Sequence, residues 1–269
     1  MGFLIRFWRW LTAPARTSEG TYNPPDPPYL LLCLGVGLLG LLLPTILILG
    51  DIFFVAGKLS ARDSLSAYYY TSMRDVFVGI LVAIAPLLVT YKMMGKNLPD
   101  GFWGFEFDLT PQNIVSVVAG VAVAMVAWFP TAIPDWSHAA PTPLQTRLGE
   151  KTVSTIHYSS AVCFILFLGI MCLLFAREEG ERSGDAEVRG YELTRSPTFW
   201  KRFYIVTATV IFLMLIFMGI TQLLGVFNDY SLLIGETVVV VMFGLSWLMK
   251  GWEVFKLRAS VRARRTKLS

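Results

Sequence analysis

Residues 27–50 read PPYLLLCLGVGLLGLLLPTILILG and contain no Asp, Glu, Lys or Arg. A helix needs about 20 mostly apolar residues to cross about 30 Å of hydrocarbon, and this stretch is long enough. Residues 76–91, 109–134, 152–176 and 203–228 are likewise uncharged, and 230–249 carries a single charge, Glu236. The whole chain agrees with its segments. Of 269 residues, 55% are hydrophobic and only 16% charged, with a mean hydropathy of +0.58, whereas a soluble globular chain carries roughly a quarter charged residues. The expected fold is all-α, a polytopic membrane bundle of six transmembrane helices at about 29–50, 74–94, 112–132, 153–176, 201–224 and 231–252. A soluble enzyme, a nucleic-acid binder and a secreted disulfide domain are excluded by the same numbers.

The net charge is +4, but its distribution says more than its size. With six helices, 18 of the 23 Lys and Arg residues fall on the side of the two termini and 5 on the other. Basic residues accumulate on the cytoplasmic side, so both termini are expected in the cytoplasm and the chain in the plasma (inner) membrane. Three regions follow: an interfacial segment and Pro-rich lead-in at 1–28, the transmembrane domain at 29–252, and a basic tail at 253–269. FLIRFWRWL (3–11) suits a short helix in the interface, and NPPDPPY (23–29) reads as a stiff, extended lead-in. Residues 177–196, charged and almost free of large aliphatics, read as a flexible loop. VRARRTK (261–267) suits anionic headgroups.

A charge in a spanning segment is costly and invites a functional explanation. Here such groups share the outer end. Asp51 closes the first helix, Arg74 and Asp75 open the second, and Asp135 follows the third. His157 and Tyr158 open the fourth, Gln222 nears the end of the fifth, and Glu236 lies just inside the sixth. Tyr69 belongs to the aromatic run of the first outer loop. The cytoplasmic halves of the helices contribute no comparable set. Glu236 precedes TVVVVMFGL, so it is expected to point into the bundle toward Arg74 or His157, all of them lining one cavity with Asp75. The bland readings are an ion pair at the start of the second helix, ordinary loop residues at Asp51 and Asp135, and a packed histidine. No resident metal or other cofactor is expected: the chain has two histidines, His138 and His157, and no HxxxH. Cys33, Cys163 and Cys172 lie in apolar runs without paired spacing, as buried small hydrophobes do. Gly35, Gly37 and Gly40 offer close-packing surfaces.

Three stretches, SLSAYYYTSMRDVFVG (64–79), WFPT (128–131) and HYSSA (157–161), resemble a widespread family of uncharacterised bacterial six-helix membrane proteins. That family is distantly similar to the damage-regulated autophagy modulators and to the GPI-anchor lipid-remodelling factor. The resemblance covers most of residues 29–252 and implies a six-helix bundle, an outer-facing polar cluster and lipid-related work, without supplying a catalytic residue. A weaker similarity, to the ceramidase and progestin-receptor hydrolases, is offset by six helices in place of seven and by the missing His pair on the last helix.

The expected function is an outer-leaflet polar cavity that binds a lipid headgroup or amphiphile, with Asp51, Tyr69, Arg74, Asp75, Asp135, His157, Tyr158, Gln222 and Glu236 as candidate ligand-binding residues and Arg74 suited to an anionic group. The alternatives are a metal- or acid/base-assisted lipid hydrolase or transferase, and a structural or assembly subunit. A proton-coupled transporter is disfavoured because transport sites lie near the midplane. The expected partners are membrane lipids and a membrane-protein partner or second copy, and no nucleic acid.

Overall fold

The structure, a computed structural model, describes residues 27–54, 62–91, 111–189, 197–226 and 230–268. Among these the chain is all-helical: α1 (Pro27–Phe54), a 3-10 turn (Ser66–Tyr70), α2 (Arg74–Thr90), α3 (Pro111–Trp128), α4 (Pro143–Leu148), α5 (Glu150–Arg189), α6 (Pro197–Leu224) and α7 (Ser231–Leu268). Five of them are long and apolar enough to cross a membrane: α1, α3, α5, α6 and α7. That is the helix set of a membrane protein. The sixth candidate, α2, has 17 residues.

The six long helices form a closed ring in chain order. α1 packs on α2, α2 on α3, α3 on α5, α5 on α6, α6 on α7, and α7 returns to α1. The α1–α7 seam depends on glycine. A Cβ on Gly244 would stand 2.6 Å from the Leu41 nitrogen and 2.8 Å from the Gly37 carbonyl oxygen. In lipid, where hydrophobicity does not drive helices together, such small residues let backbones approach closely. Gly37 and Gly40 meet α7, while Gly35 faces Leu87 of α2. Elsewhere a polar group sews neighbours together: the Ser116 hydroxyl on α3 donates to the Leu88 carbonyl of α2.

One end of the ring is filled with aromatic rings. Tyr91 and Phe175 meet Trp247 edge-on at 4.7 and 5.4 Å, Phe175 also meets Tyr204 at 5.5 Å, and the Tyr29 and Tyr91 hydroxyls are 3.0 Å apart. The other end carries the connections 62–73 and 129–149, and is called here the loop end.

Four expectations are corrected. α1 starts at Pro27, within the supposed extended lead-in, because proline is well suited to a first helical turn, where its missing N–H is not needed. α5 continues to Arg189, through most of the segment read as a flexible loop; its Glu, Arg and Ala residues favour helix. α7 likewise runs through the basic tail to Leu268. Residues 143–148, read as loop, form α4, whose start is a capping box: the Gln145 N–H donates to Thr142 Oγ1 at 3.3 Å, and the Thr142 N–H donates back to Gln145 Oε1 at 2.9 Å. Gly149, at φ 84°, then turns the chain into α5. The interfacial helix 3–11 and the loop 92–110 lie outside the described residues, as do the side chains of the tail beyond Phe255.

Candidate functional site

At the loop end, residues 62–73 fold inward rather than lying on the surface. Ser64 through Tyr69 are all buried. The backbone N–H of Leu65 donates to Glu236 Oε2 at 2.6 Å, and the Ser66 hydroxyl lies 3.5 Å from Oε1. A carboxylate on α7 thus accepts the N–H of Leu65, the residue that leads into the 3-10 turn, as the Glu of a capping box does within its own helix. A second bond joins the same pieces, from the N–H of Leu233 to the Asp63 carbonyl at 3.0 Å. Ser64 closes the turn internally by accepting the N–H of Ala67 at 3.0 Å.

The loop is also fixed on its other flank. Tyr70 donates to the Thr131 carbonyl at 2.6 Å, and Gln145 Nε2 donates to both the Tyr70 oxygen (2.9 Å) and the Thr131 carbonyl (3.2 Å). Burial, the main cause, pushes the Tyr70 phenol up to about 12, so it stays a neutral donor. Arg62 pairs with Asp51 at 2.9 Å, and its guanidinium sits 4.3 Å from the centre of the Trp136 ring. The two connections at this end are therefore one hydrogen-bonded cap.

Beneath the cap, α5, α6 and α7 leave a cavity of about 420 Å³. Its walls are apolar: Ile165 and Val162 of α5, Leu215 and Met218 of α6, Leu232 of α7. Its polar groups are Glu236, Ser64, Ser66, Tyr158 and Gln222. Gly219 lines it as well, and a Cβ there would meet nothing within 4 Å. Val162, Leu223 and Tyr158 are exposed on the outer surface of the ring, so the cavity opens sideways between helices. A smaller space of about 50 Å³ lies on the ring-interior side of Glu236, against Leu43, Phe77 and Val126. Glu236 and Ser66 are the polar residues shared by both.

Of the nine candidate residues, three line the large cavity: Tyr158, Gln222 and Glu236. The others stand apart, which corrects the expectation that Arg74, Asp75 and His157 share a cavity with Glu236. Arg74 donates to the Tyr69 hydroxyl at 2.7 Å, its guanidinium 4.4 Å from that ring, and is otherwise exposed. Asp75 and Asp135 are exposed and Asp51 is taken by Arg62. His157 is buried, with Nδ1 2.5 Å from the Phe129 carbonyl; since a carbonyl only accepts, Nδ1 carries the proton. It ties the start of α5 to the end of α3. The reason is angular: Tyr158, one residue on, is turned by about 100° around the helix and faces the cavity instead.

The structure also holds a charged cluster that the sequence reading placed nowhere. Lys250 is fully buried, with Nζ 2.8 Å from Glu178 and 3.2 Å from Glu179 on α5, and 5.1 Å from the centre of the Phe175 ring. This contradicts the expectation that the cytoplasmic halves lack such a set. Its signal was spacing: Glu236, Phe243 and Lys250 recur every seven residues and so lie along one inward stripe of α7. Glu236 and Lys250 stand about 21 Å apart along the helix, from 14 residues at 1.5 Å each.

Among the described residues no group of three His, Cys, Asp or Glu side chains is placed to hold a metal ion. The chain matches no family model, no curated protein and no solved structure.

Proposed function

We propose that this is an integral membrane protein of six crossings whose lateral cavity at the loop end binds a membrane amphiphile, its chain between α5, α6 and α7 and its polar end at Glu236. The observation that carries this reading is the cavity itself. Its volume of about 420 Å³ is of ligand size, and its polar groups gather at one end of otherwise apolar walls. A sideways opening suits a molecule arriving from the bilayer. The proposed orientation has both termini in the cytoplasm of a cell whose plasma membrane holds the protein, supported by the 18-to-5 distribution of basic residues, and it puts the cavity in the outer leaflet.

The test is the lipid retained by protein purified from its own membrane in a mild detergent. Wild type should carry a stoichiometric amphiphile, and Gly219→Trp, which places an indole in the empty space, should lose it while remaining folded. Equal retention by the two proteins would refute the cavity as the site.

A further inference from the structure

We infer that the cavity selects an amphiphile whose polar end is a cation, a primary ammonium, over an anionic one. The inference rests on the proposed amphiphile site and deepens it. Among the described residues, Glu236 is the one formally charged residue lining the cavity, and no Lys, Arg or His of theirs joins it. Asp63, on the loop above, acts on Glu236 with the same sign. Arg74, the residue expected to hold an anion, is bound to Tyr69, Arg62 is bound to Asp51, and neither lines the space.

Hydrogen-bond capacity says the same. A carboxylate accepts through about four lone-pair sites. The N–H of Leu65 takes one, the Ser66 hydroxyl approaches a second at 3.5 Å, and the Ser66 backbone N–H also acts on the carboxylate. The carboxylate lines a space that Ser64, Ser66, Tyr158 and Gln222 line as well. An ammonium brings three donors, no acceptor and a charge opposite to that of the carboxylate. A phosphate or sulfate brings only acceptors and a negative charge beside Glu236, and repulsion between like charges is weakly screened in an apolar setting.

The experiment titrates wild-type protein in a neutral maltoside detergent, near neutral pH, with dodecylammonium, dodecan-1-ol, dodecyl phosphate and ethylammonium, reading bound adducts by native mass spectrometry. Dodecylammonium is expected to bind at least about tenfold more tightly than the alcohol or the phosphate, as a charge-assisted hydrogen bond should provide. Glu236→Gln should abolish that preference. Asp63→Asn, at an exposed side chain, should weaken it and serves if Glu236→Gln does not fold. Gly219→Trp should lose all three long-chain ligands. Equal binding of the three by wild type, with loss in Gly219→Trp, would overturn the cation preference and leave the amphiphile site standing. Preference for dodecyl phosphate would also overturn it. No binding of any long-chain probe, or binding unaffected by Gly219→Trp, would overturn the site itself. Ethylammonium binding as tightly as dodecylammonium would show a soluble amine as the ligand and overturn the amphiphile.

Discussion

Glu236 Oε2 accepts the backbone N–H of Leu65 at 2.6 Å, across 171 positions of sequence. One carboxylate thereby anchors the buried loop and forms the polar end of the lateral cavity. The structural and ligand-binding roles proposed for Glu236 are separable by the choice of substitution. Glu236→Gln keeps an acceptor for the Leu65 N–H, whereas Glu236→Ala leaves that donor buried and unsatisfied. Thermal unfolding in detergent should show Glu236→Ala destabilised by about 1–3 kcal/mol and Glu236→Gln by much less. Equal losses in the two variants would contradict the capping role.

Lys250→Met should be more damaging than any change at the cavity. It removes the ammonium that lies 2.8 and 3.2 Å from Glu178 and Glu179. Breaking a buried pair from one side costs about 3–5 kcal/mol, whereas replacing all members by neutral groups is often tolerated. The triple variant Lys250→Met, Glu178→Gln, Glu179→Gln should therefore unfold at a higher temperature than Lys250→Met alone. If the triple variant is the less stable of the two, charge imbalance is not what destabilises Lys250→Met.

Two glycines should respond in opposite ways. At Gly244 an added Cβ meets the Leu41 and Gly37 backbones, so Gly244→Ala should cost about 1–3 kcal/mol through overpacking at the α1–α7 seam. At Gly219 the added Cβ meets nothing, and Gly219→Ala should be neutral or stabilising by up to about 1 kcal/mol, from helix propensity. Denaturation of the two alanine variants side by side checks the packing directly.

Tyr70→Phe removes the hydroxyl between Thr131 and Gln145 and should cost about 1 kcal/mol near neutral pH. The phenol is raised from 10.0 to about 12, so the folded state favours its protonated form. That stability is fully present below pH 10 and is lost as the pH climbs toward 12. The gap in melting temperature between wild type and Tyr70→Phe should narrow across that interval. A gap that widens there would reverse the sign and refute the assignment.

The orientation is checked by cysteine labelling in intact cells. Ala140 and Thr198 are exposed at opposite ends of the bundle. In a background with Cys33, Cys163 and Cys172 replaced, Ala140→Cys should react with an impermeant maleimide and Thr198→Cys should not. The reverse pattern would invert the topology.

The helices were legible because a spanning segment must be apolar along its whole length, and that shows in composition without any knowledge of packing. The depth of Glu236 and its inward direction were legible for the same reason. Its partner was not. Leu65 is engaged through its backbone N–H, a group every residue but proline possesses, so nothing in the side-chain pattern distinguishes it. Arg74 looked like a ligand residue because it opens a helix beside a carboxylate, yet rotation around α2 sends it to Tyr69 rather than inward. Lys250 counts among the basic residues of the C-terminal end because it sits at the end of an apolar run. The seven-residue spacing from Glu236 through Phe243 shows instead that it continues the buried stripe.

The most direct measurement is a high-resolution density map of the protein in a nanodisc of native lipid. An elongated feature should lie between Ile165, Leu215 and Met218, with its polar end at hydrogen-bonding distance, about 3 Å, from the Glu236 carboxylate. Density for an amphiphile head at Arg74, with the cavity beside Gly219 holding only water, would contradict the site.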